Sequence, residues 1–259
     1  MKVYLLAYTQ DPERTVAAAA KLCYSSLEVN DLVKGMTDEE VKRMIETLGE
    51  LSHESPIEHA SFTFAVEEVS RSLLAQMTRH RIASYSVQSQ RYVRLKDPGY
   101  IVPPEIQKDE GAARIFKDSM DRAAADYNRI TDILCEKYLK EGVENGMPAK
   151  KAAQAAEKRA VEDARFALPN ACETRFIITM NARSLKNFFR QRCCARAQWE
   201  IKAVADEMLR LVYPVAPAIF NDAGPGCVSK SCPEGKMSCK RADETKAFYH
   251  KLKEDALNG

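Results

Sequence analysis

The sequence predicts an α+β domain in which an antiparallel or mixed sheet packs with long helices. Short segments in which every second residue is apolar alternate with longer segments in which apolar residues recur every three or four positions. No internal repeat breaks this order, and 45% of the 259 residues are hydrophobic, enough to bury a sizeable core. We expect one large domain at residues 1–220 and a cysteine-containing tail at residues 221–259.

The first predicted elements are a strand, two helices and a second strand. The opening "MKVYLLAYTQDPER" has too short an apolar stretch for a secretory signal and lacks a small-residue cleavage site, so we interpret it as a strand. Asp11 and Pro12 are suited to cap and begin a helix over "DPERTVAAAAKLCYS". Thr37 and Glu40 predict a capping box at the start of "TDEEVKRMIETLGEL". The alternation in "SFTFAVEEV" is typical of a strand with one buried face.

The later elements are mainly helical. We interpret "SRSLLAQMTRHR" as a helix, and the apolar residues from Phe116 to Tyr138 predict a long one. Another helix is expected after Pro148, followed by a strand at "TRFIITM". A further helix begins after Asn181, and "AQWEIKAVADEMLRLVY" keeps helical spacing to its end.

Composition and charge exclude several classes of protein. No run of about 18 apolar residues is present, so the sequence predicts no membrane-spanning helix. The net charge of +2 is too small for bulk affinity to nucleic acid, so any anion-binding site is local. Eight cysteines without secretory features indicate thiols or metal ligands more than a disulfide framework. We expect a cytoplasmic protein.

The stretch "RHRIASYSVQSQRYV" at residues 79–93 is the first of two basic blocks. No Asp or Glu occurs from Val69 to Lys96, although 39 basic and 37 acidic side chains nearly balance over the chain. On a helix Gln76, Arg79 and His80 would share a face, and the polar side chains of an extended segment beyond it would alternate sides. Such a set offers donors to an anion and amides to a heterocycle. The alternative is a solvated basic face with a polar loop.

The second basic block, "RFIITMNARSLKNFFRQRCCARAQ", contains five arginines, one lysine and no acid. Helical spacing would place Arg183 beside Asn187, and Phe188 beside Arg192 and Arg196. A guanidinium group suits phosphate, and an asparagine amide suits a ring amide or a ribose hydroxyl. Two such blocks indicate two anionic ligands or one with several phosphates. The alternative is a packed helix whose arginines extend into solvent.

Histidines and cysteines are weaker candidates for a metal site. His53 and His59 in "HESPIEH" are six residues apart across a proline, which is not the spacing of a zinc-binding helix, so we predict no metal there. In the tail, Cys227, Cys232 and Cys239 are spaced more widely than the thiols of most zinc knuckles. We expect free, partly exposed thiols. A structural zinc, with Cys193 or Cys194 as fourth ligand, is the alternative.

Taken together, these motifs resemble the signature of the flavin-dependent thymidylate synthases. Arg79, His80 and Arg81 are followed after seven residues by Ser89, and "HESPIEH", "ALP" after Arg165, "NARSLKNF" and "AQWEI" keep the family's order and similar separations. The resemblance extends from the N-terminus to about residue 220. It implies an α+β fold, a homotetramer and bound FAD. It also implies transfer of a methylene group from methylenetetrahydrofolate to dUMP, with NADPH as reductant.

The resemblance further implies roles for individual residues. Arg192 would be catalytic, because a guanidinium beside the uracil stabilises negative charge that spreads into the ring. His53 would lie near the flavin and the folate. The residues that would bind dUMP are Gln76, Arg79, Ser89, Gln90, Arg91, Arg165 and Arg192. Those that would bind FAD are Ser55, Arg79, His80, Arg81, Asn181, Arg183 and Asn187.

Three features depart from the family pattern, and two other protein classes remain as alternatives. Val87 replaces an acid found in many members, Arg196 replaces a histidine found in some, and the cysteine-bearing tail is additional. A module that binds single-stranded nucleic acid would use aromatic residues such as Tyr85 and Tyr92 between phosphate contacts, but the charge is confined to two short blocks. A structural metalloprotein built around the cysteines is the other alternative.

Overall fold

A computed structural model describes residues 1–258, which form a four-stranded sheet, eleven α-helices and three short 3-10 helices. The strands are β1 (Lys2–Tyr8), β2 (Ser61–Ser70), β3 (Ser84–Val87) and β4 (Glu173–Asn181). The helices are α1 (Pro12–Leu22), α2 (Val29–Lys34), α3 (Asp38–Glu50), α4 (Arg71–Met77), α5 (Pro104–Lys108), α6 (Glu110–Glu144), α7 (Ala149–Ala164), α8 (Ala182–Arg192), α9 (Trp199–Val212), α10 (Gly226–Ser229) and α11 (Ala242–Asn258). This combination of helices with an antiparallel sheet confirms the predicted α+β class.

The chain divides into two compact units. The first comprises Met1–Val66, Gln76–Ser86 and Phe176–Gly259, and the second comprises Glu67–Ala75 and Val87–Arg175. Within residues 1–258, no helix is both long enough and apolar enough to cross a membrane.

The sheet has the strand order β1-β2-β4-β3, and its core-forming parts belong to the first unit. Phe62 and Phe64 on β2 and Ile178 on β4 are fully buried, which confirms the predicted alternation. On the opposite face, the hydroxyls of Thr63 and Thr179 join the two strands at 2.9 Å. The sheet therefore has one apolar face, against which the helices of the first unit pack.

Helix starts in the first unit follow the predicted capping chemistry. The Asp11 side chain accepts from the backbone N–H of Arg14, and Thr37 and Glu40 form the complete capping box of α3. The side chain of Asn181 caps α8 by accepting from the N–H of Ser184 at 2.8 Å. Local sequence chemistry thus determines where these three helices begin.

In the second unit, the long helix α6 packs along α7. A Cβ added at Gly142 on α6 would lie 3.0 Å from the Cβ of Ala152 on α7, so only glycine allows this approach without a shift. Along α6 only Tyr127 and Thr131 are buried. The long helix α6 therefore packs through only a narrow strip of its surface, and most of its side chains remain at least partly exposed.

The segment that joins α4 to β3 differs from the prediction. Helix α4 ends at Met77, since the N–H of Arg79 bonds to the carbonyl of Gln76 and the N–H of His80 to that of Met77, which tightens the chain into a turn. Our prediction that Gln76, Arg79 and His80 share one helical face was therefore wrong. The extended segment is also shorter than expected, because β3 ends at Val87 and a turn follows.

The tail contains a long helix that the sequence analysis did not predict. Helix α11 packs on α9 and α10 within the first unit. Its residues Tyr249 and Lys253 are buried, at 1% and 6% exposure. The tail therefore adds apolar contacts to the first unit.

Candidate active site

His80 and Arg192 form the most buried polar contact between the two basic blocks. The Nε of Arg192, the last residue of α8, donates to the Nε2 of His80 at 3.1 Å. His80 is 8% exposed, and its ring meets that of Phe188 edge-on at a centroid distance of 4.9 Å. Because Nε2 accepts a hydrogen bond, the imidazole is neutral and carries its proton on Nδ1.

Burial and the neighbouring Arg192 charge lower the pKa of His80 to about 4. The loop that carries the ring is itself fixed, because the Tyr85 hydroxyl reaches the carbonyls of Met77 and His80 at 2.7 and 2.8 Å. The side chain of Tyr85 therefore reinforces the turn that the N–H of His80 closes at the Met77 carbonyl.

Arg79 and Arg192 are two cations whose charges affect each other and that have no acid partner in residues 1–258. Burial and the nearby charge of Arg79 lower the pKa of Arg192. Within residues 1–258, neither guanidinium takes part in an ion pair, and the only hydrogen bond of the Arg192 guanidinium is the one to His80. Like charges held together without a counter-charge favour the binding of an anion, and the terminal nitrogens of Arg192 remain available for it.

The start of α8 carries three further candidate residues. Arg183 donates to Glu54 at 3.2 Å and pairs with Glu58, which raises the pKa of its guanidinium. Asn181 and Asn187 use their side-chain oxygens within α8, the second by accepting from Arg190 at 2.9 Å and from Gln191 at 3.2 Å. Each asparagine has a side-chain NH2 group that finds no acceptor in the described residues. Arg183 would have to give up its ion pair with Glu54 or Glu58 before it could bind a ligand anion.

The remaining candidates in the first unit are accessible. His53, Ser55 and Arg81 are exposed, and Gln76 is half-buried. His53 and Ser55 lie on either side of Glu54, whose carboxylate reaches Arg183 at the start of α8. The motif "HESPIEH" is thus joined to the second basic block through ion pairs that the sequence analysis did not foresee.

In the second unit, Ser89, Gln90 and Arg91 follow β3 in a turn. The Ser89 hydroxyl accepts from the N–H of Arg91 at 3.1 Å, and buried Gln90 approaches the sulfur of Cys172 at 3.7 Å. Arg91 pairs with Glu162 at 2.7 Å. Arg165, the last predicted dUMP residue of this unit, donates from Nε to the Glu162 carbonyl at 3.1 Å. Contacts within this turn, with Cys172 and with Glu162 therefore hold four predicted dUMP residues in the second unit, namely Ser89, Gln90, Arg91 and Arg165.

The structure shows the surroundings of Arg196 and Val87, which depart from the family pattern, and the state of the cysteines. Arg196 lies beyond the end of α8, so its predicted helical proximity to Phe188 was wrong, and it binds Glu234 at 3.0 Å and the Met237 carbonyl at 2.8 Å. Val87 is the exposed last residue of β3. All eight cysteines are free, and residues 1–258 contain no group of three or more His, Cys, Asp or Glu side chains arranged to hold a metal ion.

Several contributors were missed by sequence reasoning. Tyr85 fixes the backbone of His80 through its hydroxyl, and Phe188 packs edge-on against the His80 ring; neither role was predicted. The acids Glu54 and Glu58 lie between the two histidines of "HESPIEH", and the sequence analysis did not identify them as partners of Arg183. Both acids lie in "HESPIEH", whereas the second basic block contains no acid of its own. This charge complementarity was the signal available in the sequence.

We predict that His80 makes stability depend on pH. Its pKa is about 4 in the folded protein and 6.5 without the fold, so below pH 6.5 the unfolded chain binds more protons and stability falls. Between pH 7 and pH 5, the free energy of unfolding should decrease by about 2 kcal/mol more in the wild type than in His80→Gln. Chemical denaturation at matched protein concentration measures this. His59→Gln is the control and should fall as the wild type does; an equal fall in His80→Gln would contradict the assignment.

Comparison with known proteins gives a consistent result. The sequence profile of the family described as thymidylate synthase complementing protein matches residues 4–218. Flavin-dependent thymidylate synthases from Clostridium tetani and Geobacter sulfurreducens are 53% and 45% identical, over 96% and 97% of this chain and 97% and 99% of theirs. The crystal structure of the Helicobacter pylori flavin-dependent thymidylate synthase ThyX with FAD and dUMP is similar at a TM-score of 0.56. It has 25% identity, and the match covers 86% of this chain and all of the other.

Proposed function

This chain belongs to the family of flavin-dependent thymidylate synthases, and from that premise we propose the components of its reaction. The enzyme methylates dUMP to dTMP. Methylenetetrahydrofolate provides the carbon, and NADPH provides the reducing equivalents. When bound, FAD supplies the hydride chemistry.

The observation that carries this proposal is the unneutralised pair Arg79 and Arg192. The charge of Arg79 lies near enough to Arg192 to lower the pKa of its guanidinium, and neither side chain has an acid partner in residues 1–258, which favours a dianionic phosphate or a pyrimidine that develops negative charge. The His80 contact leaves only the terminal nitrogens of Arg192 for the uracil. In that position, Arg192 stabilises charge spreading into the ring and makes C5 a better nucleophile toward the methylene carbon.

The residues of the first unit fit FAD. Arg79 and Arg81 are exposed cations without acid partners in residues 1–258, which suits a pyrophosphate. The free amide groups of Asn181 and Asn187 suit polar ring and ribose groups. We propose that Arg183 exchanges one of its two acids for the cofactor, and that Ser55 and His53 line the approach to the flavin.

Turnover with defined components tests the proposal directly. Purified protein should show the visible absorbance of a bound flavin and form dTMP only when dUMP, methylenetetrahydrofolate and NADPH are all present. Colourless protein that binds single-stranded nucleic acid without forming dTMP would instead support the nucleic-acid-binding alternative.

We propose that the enzyme is a cytoplasmic homotetramer whose sites include residues of neighbouring subunits. An exposed apolar row on β1 supports an interface, since Tyr4, Leu6 and Tyr8 are 45%, 53% and 51% exposed. Apolar rows of this kind commonly mark contacts between protein chains.

We predict that Ser89 binds dUMP and does not act as a nucleophile. A serine nucleophile needs a base, and His80 cannot serve, because its Nε2 accepts from Arg192 and its Nδ1 holds the proton. Ser89→Ala should still form dTMP, with the KM for dUMP raised about two- to tenfold, the cost of one neutral hydrogen bond. Steady-state kinetics with Ser86→Ala as control measure this. A variant that binds dUMP and reduces its flavin yet makes no dTMP would restore Ser89 as the nucleophile.

A further inference from the structure

A hydrogen bond from the tail reaches the residue that follows Arg192. The Tyr249 hydroxyl on α11 lies 2.6 Å from the carbonyl oxygen of Cys193, the C-cap of α8, and shares its single proton between that carbonyl and the carboxylate of Asp206. Tyr249 is 1% exposed and Cys193 is fully buried, so water cannot replace this bond. The carbonyls at the end of a helix lack partners within the helix. Tyr249 supplies one for α8 at the position next to Arg192.

The surroundings of Tyr249 keep its hydroxyl a donor. Burial, with the adjacent Cys193 and Asp206, raises the pKa of Tyr249 well above its ordinary value. The hydroxyl oxygen also lies 2.6 Å from an Asp206 carboxylate oxygen, and Lys202 on α9 donates to it at 3.1 Å. The hydroxyl is therefore held between α9 and the end of α8.

A second connection ties the tail to the middle of α8. Lys253 on α11 donates to the Asn221 carbonyl at 2.6 Å, and the neighbouring Asp222 pairs with Lys186 on α8 at 2.7 Å. This route contacts α8 six residues before Arg192, whereas the Tyr249 bond contacts the helix end itself. The two connections therefore allow separate tests.

We propose that Tyr249 is a positioning residue for Arg192, so that the C-terminal tail helps to set the geometry of the active site. By holding the Cys193 carbonyl, Tyr249 fixes the last turn of α8 and hence the point from which Arg192 reaches both His80 and the substrate. This inference rests on the proposed role of Arg192 and adds to it a residue outside the region that the family profile matches.

A double-mutant cycle between Tyr249 and Arg192 tests the proposal in the complete enzyme. Tyr249→Phe should lower kcat for dTMP formation about tenfold while flavin reduction by NADPH stays within twofold of the wild type. In the Arg192→Ala background, the same change should lower the remaining activity by less than about twofold, because its target is gone. Tyr213→Phe, which removes a hydroxyl without a hydrogen bond in residues 1–258, is the matched control and should leave kcat unchanged.

Two further measurements separate positioning from general stability. Lys253→Gln loosens the other connection and should lower the melting temperature with kcat kept within twofold. Fluorotyrosine at position 249 retains the donor and keeps the proposal testable if Tyr249→Phe does not fold; its kcat should stay within twofold of the wild type.

Several outcomes would overturn the inference. One is an unchanged kcat in Tyr249→Phe while Arg192→Ala is impaired. Another is an equal loss from Tyr249→Phe in both backgrounds, and a third is a tenfold loss with fluorotyrosine. If Arg192→Ala itself retained full activity, the proposed role of Arg192 would fail first.

Discussion

Arg192→Ala should lower dTMP formation at least about tenfold, because a hydrogen bond to a charged group is commonly worth about 1.5 to 3 kcal/mol. The loss should appear in both the KM for dUMP and the rate of methylene transfer, since Arg192 would contact the pyrimidine in the ground state and stabilise the charge that develops later. His80 would lose its only side-chain hydrogen-bond partner in residues 1–258, but it is a neutral acceptor, so the fold should tolerate the change.

Separate assays of the two half-reactions check this expectation. Flavin reduction by NADPH should persist in Arg192→Ala, whereas single-turnover dTMP formation from the reduced enzyme should slow. Arg210→Ala is the control, since within residues 1–258 the side chain of Arg210 pairs only with Glu207 on the same helix. Unchanged dTMP formation in Arg192→Ala would remove Arg192 from the chemistry.

Local signals predicted most of the fold because they determine structure by themselves. The capping residues Asp11 and Thr37 lie where predicted, α8 begins after Asn181 as expected, and the alternation of β2 matches its buried face. The helix expected to continue past Met77 ends there in a turn, where the Met77 carbonyl accepts from the N–H of His80 and from the hydroxyl of Tyr85, eight residues later. Apolar spacing carries no information about such a contact.

The candidate site could be predicted only in part. The two acid-free blocks identified Arg79 and Arg192 as anion-binding candidates, and the structure places their charges close enough to affect each other. The contact between His80 and Arg192 joins residues 112 positions apart, so no local pattern could reveal it. The same holds for Tyr249, whose role depends on where α11 packs.

Arg79→Ala should be the most damaging single change, because the proposed site uses this guanidinium for both FAD and dUMP. Two charge-assisted hydrogen bonds, one to each ligand and each worth about 1.5 kcal/mol or more, imply a loss in kcat/KM on the order of 100-fold. Arg192 would remain as a cation, now without a like charge beside it, so dUMP binding should weaken without disappearing.

Two variants measure how large the loss in kcat/KM is and how it divides between FAD binding and dUMP binding. Arg79→Ala should purify with a lower flavin content and show a raised KM for dUMP when FAD is added in excess. Arg79→Lys keeps the charge but loses the planar donor fork, so its kcat/KM should lie between those of Arg79→Ala and the wild type. Arg241→Ala, at an exposed tail residue paired with Glu244, should match the wild type. Normal flavin content together with a normal KM for dUMP in Arg79→Ala would show that neither ligand uses this side chain, and the cationic pair would then lose its proposed purpose.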